Sequence, residues 1–410
     1  MSKSIVSFAF PFILLWACSA HAAPDALSIS SVVAHARATH PLILEQESAL
    51  RAALVLQRQA GIRPPPELDL EAGYKRAGED GYELGVALLF PVERSGKRSA
   101  RRGLAESEVN VARVALDQAR RDVELQVRTQ CYALLAAEAD AEAAREIANR
   151  SHAMIELLKE RPAAGPGMVL ELRVIEAGLL ALQKTARDRE AERDIARAAI
   201  NVLLGREPSA ALDLSDELVV SPKPLEFDSL AAAVERNPNV LKRWAEVERA
   251  TQAVALSAYE ASPDLQVGPY YSREEAGDVE SVVGVALSVP LANRRARRGP
   301  LAERRAEAEA AWKAERMSAL ADVARLRRLY ELAVQQANEM PAERVEALRD
   351  AAALADRQYR LGAIPVSLFL EMQREYLAVQ QLRHEALLNA LTREAELTWA
   401  LGEVQQGGEP

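Results

Sequence analysis

The sequence predicts a mainly α-helical protein with a small β part, organised as one helix–strand–strand–helix unit that occurs twice in tandem. Three observations carry this. Long stretches without proline consist of Ala, Leu, Glu and Arg, the composition of extended helices. Short segments between them alternate apolar and polar residues, as strands do. And Gly85-Val86-Ala87-Leu88-Leu89-Phe90-Pro91 returns as Gly284-Val285-Ala286-Leu287-Ser288-Val289-Pro290.

The chain has 410 residues, a formal net charge of −9 and only 5% aromatic residues. The acidic balance argues against a nucleic-acid partner. Two cysteines, Cys18 and Cys131, are too few for a disulfide framework. The histidines, His21, His35, His40, His152 and His384, form no i, i+4 pair and no cluster with cysteine. No metal site, cofactor site or catalytic set is expected from them, so the chain does not read as an enzyme.

Residues 1–22 read as an export signal. Lys3 is the positive n-region, Ile5 to Ala17 the apolar core and Ala20-His21-Ala22 the cleavage motif. Leu15-Trp16-Ala17-Cys18 also resembles a lipobox, which would leave Cys18 as a lipidated N-terminus; otherwise Cys18 leaves with the signal. No later run of about 18 apolar residues follows, so no transmembrane helix is expected. An exported chain can still cross a membrane as a β-barrel.

From about Leu27 to Ala60 the spacing predicts helix, with Pro41 starting a new one. Gly61 and Pro64-Pro65-Pro66 end it. Leu68, Leu70, Ala72 and Tyr74 then alternate with Glu67, Asp69, Glu71 and Gly73, a two-faced strand. Residues 76–81 are a polar turn. Tyr82, Leu84, Val86, Leu88 and Phe90 form the returning strand, ended by Pro91. Each strand is about nine residues, enough to cross a bilayer when tilted; taken alone, the pair reads as a soluble hairpin. From about Ser99 to Glu160 nothing breaks a helix roughly 90 Å long. Residues 161–167 are a tight turn, and a second helix runs from Met168 to Leu204, ending at Gly205.

The pattern then restarts at an offset of 197 residues. Pro238 corresponds to Pro41, Pro263 to Pro66, Gly362 to Gly165 and Gly402 to Gly205. This register is a tandem duplication. The divisions are a signal at 1–22, a first repeat at 23–205, a linker at 206–225, a second repeat at 226–402 and a tail at 403–410.

Two units supply four strands, too few to close a barrel in a bilayer. If the strands lie in lipid, their edges need other copies, and a homotrimer would give twelve strands. Basic residues follow each second strand: Arg94, Lys97 and Arg98, then Arg294, Arg295, Arg297 and Arg298. Positive charge at a helix start is unfavourable. Outer-membrane lipid phosphates would offset that cost, and a solvated charge run is the plainer reading.

The signal, the duplicated unit, the Gly-Val-Ala-Leu strand ends and the Gly-Lys-Arg after the first resemble a TolC-type outer-membrane efflux protein. Arg63-Pro64-Pro65-Pro66-Glu67-Leu68 and Ser95-Gly96-Lys97-Arg98 are most similar to the CzcC-like heavy-metal branch. The resemblance implies a trimeric, non-catalytic conduit. A 12-stranded outer-membrane β-barrel would stand on a periplasmic helical barrel, docked to a periplasmic adaptor and an inner-membrane, proton-driven RND-type pump. It places adaptor-contacting tips at Gly165, Pro166 and Gly167 and at Leu361, Gly362, Ala363 and Ile364. It makes Tyr359 and Glu371 aperture residues, with Glu171 and Arg360 as further candidates. Leu368 and Ile364 depart from the charged residues of that gate. Acidic strand residues Glu67, Asp69, Glu71, Glu83 and Glu280 would draw cations into the lumen, or serve as a generic polar lining. Heavy-metal cations are the expected cargo; drug or type I protein export is the alternative. A periplasmic adaptor or coiled-coil scaffold fits less well, because an adaptor lacks the full-length duplication.

Overall fold

The computed structural model describes residues 26–76, 80–93, 95–159, 166–220, 230–260, 264–276, 278–289 and 298–403. The expected signal with Cys18, the basic residues Arg94, Arg294, Arg295 and Arg297, and the turn glycine Gly165 lie outside the described residues.

The first unit comprises α1 (Ile29–Thr39), α2 (Pro41–Ala60), β1 (Glu67–Lys75), β2 (Gly81–Val92), α3 (Lys97–Lys159) and α4 (Pro166–Leu203). The second comprises α5 (Leu230–Val234), α6 (Pro238–Glu260), β3 (Leu265–Ala276), β4 (Asp278–Ser288), α7 (Arg298–Glu339), α8 (Ala342–Arg360) and α9 (Val366–Ala400). The units match in order, with one difference. α3 is a single helix of 63 residues, whereas its counterpart divides into α7 and α8. Pro341 is the cause: it has no amide proton, and its backbone is extended (ψ 152°).

Equivalent positions use equivalent devices. His40, extended before Pro41, accepts the Leu42 amide on Nδ1 at 3.3 Å. Asn237, before Pro238, accepts the Asn239 amide at 3.0 Å and donates Nδ2 to the Ala400 carbonyl at 2.8 Å. The second cap therefore also ties the start of α6 to the end of α9. Gly205 and Gly402 have φ of 67° and 68° and close α4 and α9 identically. Each donates to the carbonyl three residues back, and the next amide to the carbonyl five back. Only glycine takes that left-handed backbone without cost, which explains why these glycines keep the 197-residue register.

Helices pack in a long array rather than around one core. Ile29, Val32 and Val33 of α1 meet Val123, Val127 and Leu134 of α3 in one cluster. Leu204 and Leu212 join it, and Leu27 pairs in parallel with Leu214. Asp216 accepts the first amide of α1 at 2.7 Å. The expected linker is thus packed structure over much of its length. Further along, Ala143, Ala144, Ala148, Ala186 and Ala352 line the seams, and such small side chains let helix axes approach closely.

The four strands form one antiparallel sheet in the order β1-β2-β3-β4. β2 continues past Pro91, which aligns with Gln266, to Val92, which aligns with Leu265. β1 has already ended there, so the proline's missing amide costs that neighbour nothing.

Candidate membrane wall and channel tip

The register places Leu70, Val86, Tyr271 and Val283 side by side across all four strands. Leu68, Leu84, Phe90, Val285 and Leu287 share that face, because side chains alternate along every strand. The face is exposed, Val283 at 81% and Val285 at 74%. A sheet in water buries such a face; among the described residues no layer lies over this one. At the hairpin end Tyr74 and Tyr82 meet edge to face, centroids 5.2 Å apart, as aromatics do at a membrane boundary.

The opposite face carries carboxylates. Glu67, Asp69 and Glu71 line β1, and Glu67 accepts from Gln266 at 2.9 Å. Glu83 aligns with Glu274, and Glu274 with Glu280, so three carboxylates form a row across β2, β3 and β4. Glu274 was not foreseen as part of this face. The pairing of β2 with β3 joins the two repeats, and no local pattern encodes it. Like charges aligned across strands are unfavourable on a dry surface.

Below the sheet, Lys97, Arg98 and Arg101 bind within the chain. Lys97 forms an ion pair with Asp264. Arg98 donates to the Gly61 carbonyl at 2.6 Å. Arg101 donates to the carbonyls of Ala60 at 2.8 Å and Ile62 at 3.0 Å, and to Glu93 at 2.5 Å. Arg98 and Arg101 thus cover the carbonyl end of α2, the negative end of its dipole. Gly96, at φ 91°, makes the turn and lies under the Tyr259 ring. Arg298 begins α7 in the second unit.

At the far end, α8 turns into α9 through Leu361, Gly362, Ala363 and Ile364. Gly362 has φ 72°, its amide reaches the Tyr359 carbonyl, and the Ala363 amide reaches that of Gln358, both at 2.9 Å. Leu361 is 78% exposed, while Ile364 packs inward. The first-repeat tip candidates Pro166 and Gly167 are the first residues of α4. The other tip candidates occupy different environments. Tyr359 is buried and stacks on Phe369, centroids 5.4 Å apart and planes 16° apart. Around that stack pack Met154, Ile155, Ile175 and Leu179, so both hairpins of one chain share a core. Arg360 pairs with Asp356 at 3.0 Å. Glu371 is exposed, and Glu171 lies in the first turns of α4. Phe369 was not among the expected tip residues; it comes from α9, across the turn from Tyr359 on α8.

Among the described residues no group of three or more His, Cys, Asp or Glu is placed to hold a metal ion. No helix there is long and apolar enough to cross a membrane. Cys131 is buried, and loss of hydration pushes its thiol up to about 12, with Asp216 adding to the shift.

The model of the outer membrane efflux protein family matches this chain over residues 32–206 and again over 230–403. The chain belongs to that family. Its members are passive channels of the outer membrane, not enzymes. The cobalt-zinc-cadmium resistance protein CzcC of Cupriavidus metallidurans is 27% identical over 242 residues. That match covers 58% of this chain and 56% of CzcC, so it spans about half of that relative's length. Among solved structures, the outer-membrane channel OprN superposes with a TM-score of 0.75 at 19% identity, covering 92% of this chain and 90% of OprN. CusC, solved in studies of folding and transmembrane channel formation, gives 0.71 at 14%, covering 92% of each. VceC of Vibrio cholerae gives 0.71 at 17%, covering 92% of this chain and 96% of VceC. These structural likenesses establish the fold of an efflux channel protein built from tandem repeats.

Proposed function

We propose that three copies of this chain close a twelve-stranded barrel and form the outer-membrane exit of a tripartite, proton-driven system that exports divalent heavy-metal cations. The observation that carries the proposal is the two-faced sheet. One face is apolar and exposed, the other carries carboxylates, and the outer edges of β1 and β4 pair with no strand among the described residues. Unpaired strand edges in lipid cost several kcal/mol per group, so closure with other copies is required. Closure would carry the row of Glu83, Glu274 and Glu280 around the lumen, where it attracts cations and repels anions. The likeness to CzcC supports metals as the cargo.

In this reading Leu361 to Ile364 and the turn before α4 contact a periplasmic adaptor, and an inner-membrane pump supplies the energy. Tyr359, Arg360, Glu171 and Glu371 belong to the closed aperture. Arg94, Arg294, Arg295, Arg297 and Arg298 face lipid phosphates, with Lys97 and Arg98 helping to anchor the strand-to-helix junction beside them.

A deletion strain tests this. Loss of the gene should lower tolerance to cobalt, zinc or cadmium, and the full chain should restore it. Replacing Glu83, Glu274 and Glu280 by Gln should restore tolerance only partly, with channel abundance unchanged. A deletion strain that tolerates these metals like its parent, yet becomes sensitive to organic drugs, would replace the metal reading with a drug one.

A further inference from the structure

The chain that leads out of the expected export signal is pinned at its first described residues. The Leu27 amide donates to the Asp213 carbonyl at 2.9 Å, and the Ser215 amide donates to the Leu27 carbonyl at 3.1 Å. Asp216 accepts the Ile29 amide at 2.7 Å. Ile29, Val32 and Val33 are buried in the cluster that α1 shares with α3. Leu27 is therefore held on the segment that links the two repeats.

Polar contacts along α3 fix the height of that point, because α1 and α2 run antiparallel to it. Arg98 meets the Gly61 carbonyl, Arg101 the Ala60 carbonyl, Arg120 meets Glu47 at 3.1 Å, and Glu124 meets Arg37. Ile29 stands about two helical turns before Arg37, farther from the sheet. Asp216, bound to its amide, lies near enough to add, after loss of hydration, to the upward shift of the Cys131 thiol. Leu27 is thus level with the Cys131 region of α3. From Lys97, where α3 begins below the sheet, to Cys131 is 34 residues, roughly 50 Å at the rise of a helix.

Cys18 stands nine residues before Leu27. Fully extended, such a stretch spans at most about 30–32 Å. With the sheet in the membrane, a lipid on Cys18 would fall roughly 20 Å short of the bilayer. Spanning 50 Å takes roughly 15 extended residues, so the chain would have to be drawn out to about residue 33. That would break the Leu27 pairing and the Asp216 cap and expose Ile29, Val32 and Val33. Cleavage at Ala20-His21-Ala22 makes no such demand.

We infer that this chain is cut after Ala22, that Cys18 leaves with the signal without receiving lipid, and that the mature N-terminus is the free amine of Ala23, four residues from the site where Leu27 is held. This rests on the sheet being the membrane wall, as proposed above. The sheet and its closure with other copies then hold the channel in the membrane, and Cys18 contributes nothing to that hold.

The full chain, expressed with its own signal, is isolated from the membrane fraction and read by N-terminal sequencing and intact mass. The expected start is Ala23-Pro24-Asp25-Ala26-Leu27. No radiolabelled palmitate should be incorporated, and no precursor should accumulate when the lipoprotein signal peptidase is inhibited. Cys18→Ser should leave the mass and the membrane abundance of the mature chain unchanged. Ala22→Leu, which removes the small residue at the cut, should accumulate precursor. A product that begins at Cys18, heavier by five residues and its acyl groups, would overturn the inference, as would loss of the channel in Cys18→Ser. Resistance to alkaline extraction of the membranes is measured in parallel. A chain that starts at Ala23 and is released by alkali would bear out the cut and count against the sheet as membrane wall, so the two readings fail separately.

Discussion

Gly268 of β3 lies so close to Leu88 of β2 that a Cβ on it would stand 1.7 Å from the Leu88 carbonyl oxygen. The next residue, Pro269, contributes no amide proton to the ladder. The two repeats thus meet at a point where their strands are pressed together without side chains between them. Gly268→Ala should force β2 and β3 apart at the seam between repeats and cost about 1–3 kcal/mol or more. In the proposed trimer this should appear as loss of the oligomeric band on a native gel. Gly284→Ala, where a Cβ meets nothing within 4 Å, should assemble normally and is the matched control.

Arg101 joins three elements by binding Ala60, Ile62 and Glu93. Arg101→Ala should leave carbonyls of the α2 end and a mostly buried Glu93 without their cation. The expected loss is about 2–3 kcal/mol in chemical denaturation. Arg101→Lys should recover only part of it, because an ammonium does not reproduce the fork to three acceptors.

Asp122 gives a pH dependence of defined sign. Burial raises its carboxyl above the ordinary value of 3.8, partly opposed by the Trp399 indole hydrogen bond and by Lys242. A carboxyl raised on folding is more readily protonated in the folded state than in the unfolded one. Its contribution is therefore destabilising above the folded pKa, and it is relieved as pH falls toward 3.8. Asp122→Asn keeps an oxygen for Trp399 and removes the charge. Stability of that variant should fall less than that of the parent as pH rises from the acid side to neutrality. Denaturation midpoints across that range decide the matter; parallel curves would mean that Asp122 titrates normally.

Cys131 should not react with maleimide in the folded channel. Its thiol is enclosed by α1, α3 and residues near Leu212, and its thiolate is disfavoured up to about pH 12. Rapid labelling is expected only in denaturant. Labelling without denaturant would show that this region opens at equilibrium.

Legibility divided along physical lines. Helix starts at Pro41 and Pro238, helix ends at Gly205, Gly362 and Gly402, and the alternation of both hairpins are local effects of backbone geometry and side-chain period. They are visible in any window of ten residues. The break at Pro341 is also local, but a long alanine-rich helix obscured it. The roles of Arg98 and Arg101 were not legible. Their positive charge at a helix start looks unfavourable until α2 is seen to end beside it, 37 to 41 residues earlier in the chain.

The sequence by itself determined the duplicated unit and the two-faced strands with their apolar side. Each follows from periodicity and from glycine and proline stereochemistry, which act over a few residues. Only the tertiary structure decided which strand of one repeat adjoins the other. With that came the carboxylate row of Glu83, Glu274 and Glu280 and the contact of Gly268 with Leu88; the packing of α6 on α7 likewise decided the pairing of Trp244 with Trp312. These depend on register between segments about 70 to 200 residues apart. Such register is set by packing energy summed over whole faces, and no single stretch of sequence contains it.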